Sequence, residues 1–326
     1  MKATMKDVAE KAGVALGTVS RYFNGGMLKE GTRIKVENAI AALNFEPNQY
    51  ARGLKIDKTK TIALILPTIW HPFYSEFAYY VEATLEKTGY KLFLCNSNNN
   101  PEKEREYIKL VKQNKVDGII GITYADIDLY VSSELPFVSI DRHFSEDVTY
   151  VTADNYIGGQ IAAKELIDRG AKHLAFIGSE LPYPSEMTNR LKGFSEYCDS
   201  QEVPFESLLM AEPIVNEIDQ IESFLKNHTY VDGVFSINDM MGINVLNTLV
   251  KLNKKSPEDV QLIGFDGIKL EKNSEFLIST IQQPVDLMAE MAVTALIAQI
   301  NGRKGETRFI LPVNFIEGKT TLEKKY

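Results

Sequence analysis

Cysteine is scarce in this chain of 326 residues: only Cys95 and Cys198 occur. Two distant cysteines make no disulfide framework and suit a reducing compartment. The four histidines, His71, His143, His173 and His228, are equally scattered. None falls in the H-x-x-x-H or cysteine-pair spacing of a metal site, so no metal is expected. No serine stands in a G-x-S-x-G elbow. Neither G-x-G-x-x-G nor G-x-x-x-x-G-K-[ST] is present, which argues against a nucleotide pocket. These gaps leave no residues for a catalytic triad and call for no cofactor; the expectation is a protein that is not an enzyme. No apolar run is long enough to cross a bilayer, and the opening "MKATMKDVAEKAG" lacks the core of a signal peptide. A cytoplasmic protein with no membrane partner is expected.

Charge of one sign is locally short as well. Residues 1–60 hold 11 Lys and Arg against 6 Asp and Glu, a net of +5, whereas the remainder holds 25 against 38, a net of −13. A basic head on an acidic body points to nucleic acid at the head. The hydrophobic share of 44% and charged share of 25% are those of a globular protein, and the length suits more than one domain.

The head reads as three short helices. Thr4 and Asp7 fit a capping box, and Val8, Ala9 and Ala12 follow on one face before Gly13 stops the helix. A second helix spans about Leu16 to Asn24 and halts at Gly25-Gly26. The third carries Ile34, Val36, Ala39, Ile40 and Leu43 as one expected apolar stripe. Two helices joined by a tight glycine turn make a helix-turn-helix. Val19, with Tyr22 or Phe23, pins the second helix to the core. Leu16, Gly17, Thr18, Ser20, Arg21 and Asn24 are then free to meet a major groove. Arg21 suits a bidentate bond to guanine, Thr18 and Ser20 suit phosphates or base edges, and Leu16 suits a thymine methyl. The plainer alternative is a small helical bundle with a mildly basic surface.

"DVAEKAGVALGTVSRYFNG" followed by "TRIKVENAIAALNFEPNQYARGLK" resembles the lactose-repressor (LacI/GalR) family of bacterial regulators. Two positions depart from the family pattern: Ala15 and Lys29 stand where serine is usual, which removes a hydroxyl for phosphate contact or capping. Lys29 offers a point charge in its place. The resemblance implies a domain order of residues 1–47 as the DNA-binding head, 48–60 as hinge helix and linker, and 61–326 as a two-lobed effector and dimerisation domain. The hinge segment is too short to be a stable helix alone. The family pairs it with the same segment of a second subunit over the minor groove, where Leu54 would wedge between base steps and Arg52 would assist. The alternative for Leu54 is an ordinary linker residue packed on the next domain. One head makes too few contacts for operator affinity, so a dimer reading a pseudo-palindromic operator is expected. With no heptad tail before Tyr326, a homodimer is favoured over a tetramer.

From Lys60 onward, apolar strands alternate with amphipathic helices, the mark of parallel sheets covered on both faces. "TIALILP", "YKLFLCN", "VDGIIGIT", "PFVSID", "HLAFIGS", "VDGVFSIN" and "VQLIGFD" are strands. Phe73–Thr88, Pro101–Asn114, Asn155–Arg169 and Met240–Leu252 are helices. Val116-Asp117-Gly118 recurs as Val231-Asp232-Gly233, which suggests two similar lobes. The expected fold is therefore an all-α helix-turn-helix head plus an α/β, two-lobed body that resembles periplasmic sugar-binding proteins. Family resemblance places three lobe crossings near 156–161, 283–287 and 317–320.

Ligands in such folds bind beyond the carboxyl ends of strands. Polar residues gather there, and acids with one arginine beside an aromatic suit a sugar or sugar derivative. In the family, the positions of Phe73, Asp141, Arg190, Asn238, Asp266 and Gln283 line the effector pocket. Asp239 can instead cap the helix that follows, Arg142 can be a surface ion pair, and Phe73 can be core. A phosphorylated sugar stays open at this stage, because Arg142 and Arg190 could share an anion. The rival readings are an exported-type sugar-binding protein and a sugar-modifying α/β enzyme with an accessory bundle. The first would need export; the second would turn its ligand over.

Overall fold

The computed structural model describes residues 3–23, 25–45, 58–113, 115–123, 127–131, 135–144, 148–180, 185–269, 271, 273–303 and 305–324. It divides into two units, Met1–Thr59 and Lys60–Tyr326.

In the first unit, α1 (Met5–Ala12) starts at Thr4, whose amide donates to the Asp7 carboxylate at 2.7 Å while its hydroxyl accepts from the Asp7 amide. This capping box satisfies first-turn donors reciprocally. Gly13 closes the helix in the left-handed conformation, φ 64°. Then come α2 (Leu16–Phe23) and α3 (Glu30–Leu43). Val8, Ala9 and Ala12 of α1, Val19 of α2, and Val36 and Ala39 of α3 form a shared core. One expected member of the α3 stripe is missing from it: Ile34 is 49% exposed. At 3.6 residues per turn, Ile34 and Val36 lie about 200° apart and cannot face the same side.

The second unit holds two six-stranded sheets. The first contains β1 (Thr61–Leu66), β2 (Lys91–Asn96), β3 (Gly118–Gly121), β4 (Phe137–Ile140), β5 (Thr149–Ala153) and β11 (Arg308–Leu311), in the order β11-β5-β4-β3-β1-β2. The second contains β6 (Leu174–Glu180), β7 (Phe205–Ala211), β8 (Gly233–Ser236), β9 (Gln261–Asp266), β10 (Ser279–Gln282) and β12 (Asn314–Ile316), in the order β12-β10-β9-β8-β6-β7. The recorded strand pairs are parallel except β10 with β12, which is antiparallel.

The two orders are the same pattern repeated, which explains the recurring Val-Asp-Gly. Gly118 opens β3 and Gly233 opens β8, and each strand lies beside the first strand of its sheet. The aspartate before each glycine accepts backbone amides at the start of that neighbouring strand: Lys60 to Asp117 at 2.9 Å, His173 to Asp232 at 2.8 Å. Strand β1 is buried on both faces, with Ile62, Leu64 and Leu66 in one apolar cluster and Ala63 and Ile65 in another. That is why it reads as a continuous apolar run.

Helices cover the sheets. They are α4 (Pro72–Lys87), α5 (Pro101–Lys112), α6 (Asn155–Asp168), α7 (Thr188–Ser200), α8 (Glu217–Asn227), α9 (Asp239–Lys251) and α10 (Val285–Ile300). The chain passes between sheets after β5, after β10, and between β11 and β12. The first passage follows Ala153 and the third lies between Leu311 and Asn314. Residues 314–316 already pair with β10, so the chain has crossed before 317 is reached.

Candidate functional site

The face of α2 is what its composition requires. Val19 is its fully buried residue; Tyr22 and Phe23 pack partly on the core. The Tyr22 hydroxyl donates to Glu37 at 3.2 Å, and the Phe23 ring lies 5.7 Å from that of Phe45. Leu16 is 43% exposed, Gly17 and Arg21 are exposed, and Thr18 and Ser20 are half-buried. Arg21 is steered by its neighbour: the Gly26 amide donates to the Arg21 carbonyl at 2.9 Å, and a Cβ on Gly26 would stand 2.4 Å from Arg21 Cγ. The absence of a side chain at Gly26 therefore gives the arginine stem its path. Asn24, Arg52 and Leu54 lie outside the described residues.

In the two-sheet unit, four of the expected residues meet. Asp141 follows β4 and Asp266 ends β9, and these strands hold equivalent places in the two sheets. Each aspartate has positive φ, 55° and 111° respectively. Such conformations are uncommon for residues with a side chain and gather at functional sites. Arg190, 2% exposed on α7, carries the positive charge that acts on both. Its Nε donates to Asn155 Oδ1 at 2.7 Å, and its Nη1 donates to the Ile237 carbonyl at 2.5 Å and stands 3.8 Å from Asp266 Oδ1. The guanidinium lies 3.6 Å from the centroid of the Phe265 ring. Gln283, at the second crossing, donates to Asp266 Oδ1 at 2.8 Å, and the Thr152 hydroxyl donates to Asp141 Oδ1 at 2.6 Å.

Burial pushes both carboxyls up to about 6, against the opposing pull of Arg190. The neighbouring His71 goes the other way: burial, with the Arg190 charge, brings it down to about 4.

The remaining calls divide. Asn238 uses its side-chain oxygen to cap α9, accepting from the Met241 amide at 2.8 Å. The capping role suggested for Asp239 thus belongs to its neighbour. Asp239 is buried inside, where it accepts from the amides of Gly267 and Ile268 at 2.9 and 2.7 Å and from the Thr280 hydroxyl at 2.7 Å. It anchors the turn that follows Asp266. Phe73 is 4% exposed, belongs to the large apolar cluster and stacks on Phe77. In the same turn Trp70 is 91% exposed. Arg142 is buried and turned to its own lobe, with Nη2 donating to Asp128 at 2.8 Å and Nη1 to the Thr123 carbonyl at 3.2 Å.

Sequence reasoning missed Asn155. Its side-chain amide donates to Thr152 and to the Ala153 carbonyl, and its oxygen receives Arg190, so it joins the two lobes at the first crossing. Its position directly after a strand, at a crossing, was the available signal. Glu186 was missed too. Its amide donates to the Asp141 carbonyl at 3.1 Å, its carboxylate meets His143, and it accepts from Asn189 at 2.6 Å. Among the described residues there is no group of three or more His, Cys, Asp and Glu placed to hold a metal, and no helix is long and apolar enough to cross a membrane.

A helix-turn-helix unit with a polar, arginine-bearing second helix, joined to a two-lobed α/β unit with a polar centre between its sheets, defines a ligand-responsive DNA-binding protein. Residues 4–48 match the family described as bacterial regulatory proteins, lacI family, and residues 163–321 match the periplasmic binding protein-like domain. The sucrose operon repressor of Streptococcus mutans is 36% identical over 98% of this chain and all of that protein. The ribose operon repressor of Bacillus subtilis is 34% identical, covering 98% of each. The Lac repressor dimer bound to operator and the anti-inducer ONPF shares the fold with a TM-score of 0.86 at 20% identity, covering 99% of this chain and all of that one. An Alkaliphilus metalliredigens regulator complexed with D-xylulofuranose has a TM-score of 0.70 at 29% identity, over 81% of this chain and all of that one. The chain belongs to the lacI family of bacterial regulatory proteins and is a DNA-binding transcriptional regulator.

Proposed function

We propose that this protein is a cytoplasmic repressor that grips a pseudo-palindromic operator as a homodimer and is controlled by a sugar or sugar derivative bound between its lobes. The observation that carries the reading is the meeting of Asp141, Asp266, Gln283 and Asn155 about Arg190, drawn from both lobes and the crossings. Carboxylates and amides around one arginine suit hydroxyl recognition. The repressors it resembles are named for sucrose and ribose operons, which supports a sugar effector.

In this reading residues 1–47 read DNA, 48–60 act as hinge and linker, and 61–326 bind effector and dimerise. Leu16, Gly17, Thr18, Ser20, Arg21 and Asn24 face the major groove, while Arg52 and Leu54 act over the minor groove. Phe73 supports the effector pocket from the core, and Asn238 borders it from the cap of α9. The body's task is to bias a linker with two states, ordered and melted. No turnover of the effector is expected, since the relatives are repressors.

Nuclease protection tests this. The full chain is applied to a site selected from random DNA, with sucrose or D-ribose added. Protection of an inverted repeat that changes with one of these sugars supports the proposal. Turnover of the sugar, or protection that no sugar alters, refutes it.

A further inference from the structure

We infer that the cleft takes an uncharged, hydroxyl-rich sugar and rejects its phosphate esters. The inference rests on the sugar-effector reading and narrows it.

What the buried centre lacks is hydrogen-bond donors from a ligand. Gln283 is 3% exposed; its Nε2 serves Asp266, and its buried Oε1 has no partner among the described residues. A buried unpaired acceptor is unfavourable until a donor reaches it. Asp141 and Asp266 are acceptors as well, and an ionised carboxylate has lone pairs for more than the one neutral donor recorded on each. Sugar hydroxyls supply donors. A phosphate group supplies acceptors and charge.

The positive charges nearby are already engaged. Arg190 serves Asn155, the Ile237 carbonyl and Asp266, with its face on Phe265. Its single charge stands against two carboxylates. Arg142, adjacent to Asp141 in the chain, is turned to Asp128 and the Thr123 carbonyl, with its guanidinium over Phe144. It cannot join Arg190 around an anion without giving up that pair with Asp128. His71 is held neutral at ordinary pH by burial and by Arg190. Lys269 lies over Phe276 and works on Glu76, which Asp286 and Asp266 also influence. Glu186 adds a further carboxylate beside Asp141, facing His143. A phosphate ester would bring a charge of roughly −1.5 to −2 into this acidic, buried setting. Like charges at close range in low dielectric repel strongly.

The test is calorimetry on the full chain with paired probes: sucrose and sucrose 6-phosphate, D-fructose and D-fructose 6-phosphate, D-ribose and D-ribose 5-phosphate. At least one free sugar should bind, with its phosphate weaker by on the order of 100-fold or more, as expected where buried polar groups set specificity. A phosphate that binds as tightly as its parent sugar, or more tightly, overturns the inference while leaving a sugar effector in place. Binding by neither member of any pair overturns both. A Glu186→Gln variant checks the charge argument: its preference for the free sugar should shrink several-fold, and an unchanged ratio would count against it.

Discussion

The carbonyl oxygen of Tyr156 lies 1.9 Å from the point where a Cβ on Gly193 would stand, and the carbonyl of Arg190 lies 2.1 Å from the equivalent point on Gly159. Helices α6 and α7 therefore touch backbone to backbone, and this contact sets Arg190 opposite Asn155. Gly193→Ala must push the helices apart. We expect a loss of about 1–3 kcal/mol, the usual cost of overpacking, read from urea unfolding, together with weaker sugar binding. A Gly31→Ala control, where nothing lies within 4 Å, should lose no stability. Equal stability of both variants would contradict the close crossing.

Arg190 is the charge on which the centre depends. Arg190→Met should cost roughly 3–5 kcal/mol, because removing one partner leaves buried carboxylates uncompensated. Adding Asp266→Asn to that variant should recover part of the loss. If urea denaturation shows the two changes to be simply additive, Arg190 and Asp266 are not coupled.

The buried aspartates also make a signed pH prediction. Asp266 is raised from 3.8 to about 6 in the folded protein. Its contribution to stability is therefore fully present below pH 3.8 and is lost as pH rises through about 6. Asp141 acts in the same direction. His71, lowered from 6.5 to about 4, contributes stability present above 6.5 and lost as pH falls through about 4, so it opposes them in that window. The comparison of choice is Asp266→Asn against the parent chain. The Asn variant should gain relative stability between pH 4 and 6 and level off near pH 7. A difference that does not vary with pH would show that Asp266 is not raised.

At the head, Gly26→Ala should disturb Arg21 without removing its charge, since the new Cβ meets Arg21 Cγ. Binding to a selected operator should weaken toward the level of Arg21→Ala, whose lost base contact is worth about 1–3 kcal/mol of discrimination. Binding to random DNA should change far less. Equal losses on both DNAs would assign Arg21 to the backbone and not to the bases.

Leu54→Ala tests the proposed hinge wedge. It should reduce DNA bending and operator affinity together, because unstacking one step allows the bend. Gel phasing that shows an unchanged bend would leave Leu54 as an ordinary linker residue.

The head was legible because its rules are local. A capping box needs three residues, a helix stop needs one glycine, and the small apolar face of α2 follows from Val19 alone. Strands β1, β3, β4, β6, β8 and β9 were legible for a related reason: a short strand buried on both faces and rich in apolar residues stands out as a run, and the polar residue ending β9 marks where the sheet stops. The edge strand β2 was read as well, but β5 and β10, whose buried positions carry Ser and Thr, and three edge strands were not. β7, with Phe205 and Leu209 among half-buried and exposed positions, and the short β11 and β12 have no such pattern.

The amino-acid order alone thus determined a basic three-helix head, alternating strands and helices, and a repeated lobe marked by Val-Asp-Gly. Tertiary structure decided which charges share the centre. Arg142 and Arg190 look alike in the chain, yet one pairs with Asp128 and the other joins Asp266 and Asn155. It also sent Phe73 into the core and gave Asn155 its bridging place. The reason is physical: a capping bond or an apolar run depends on neighbours a few positions away, whereas desolvation and ion pairing depend on what distant segments bring alongside.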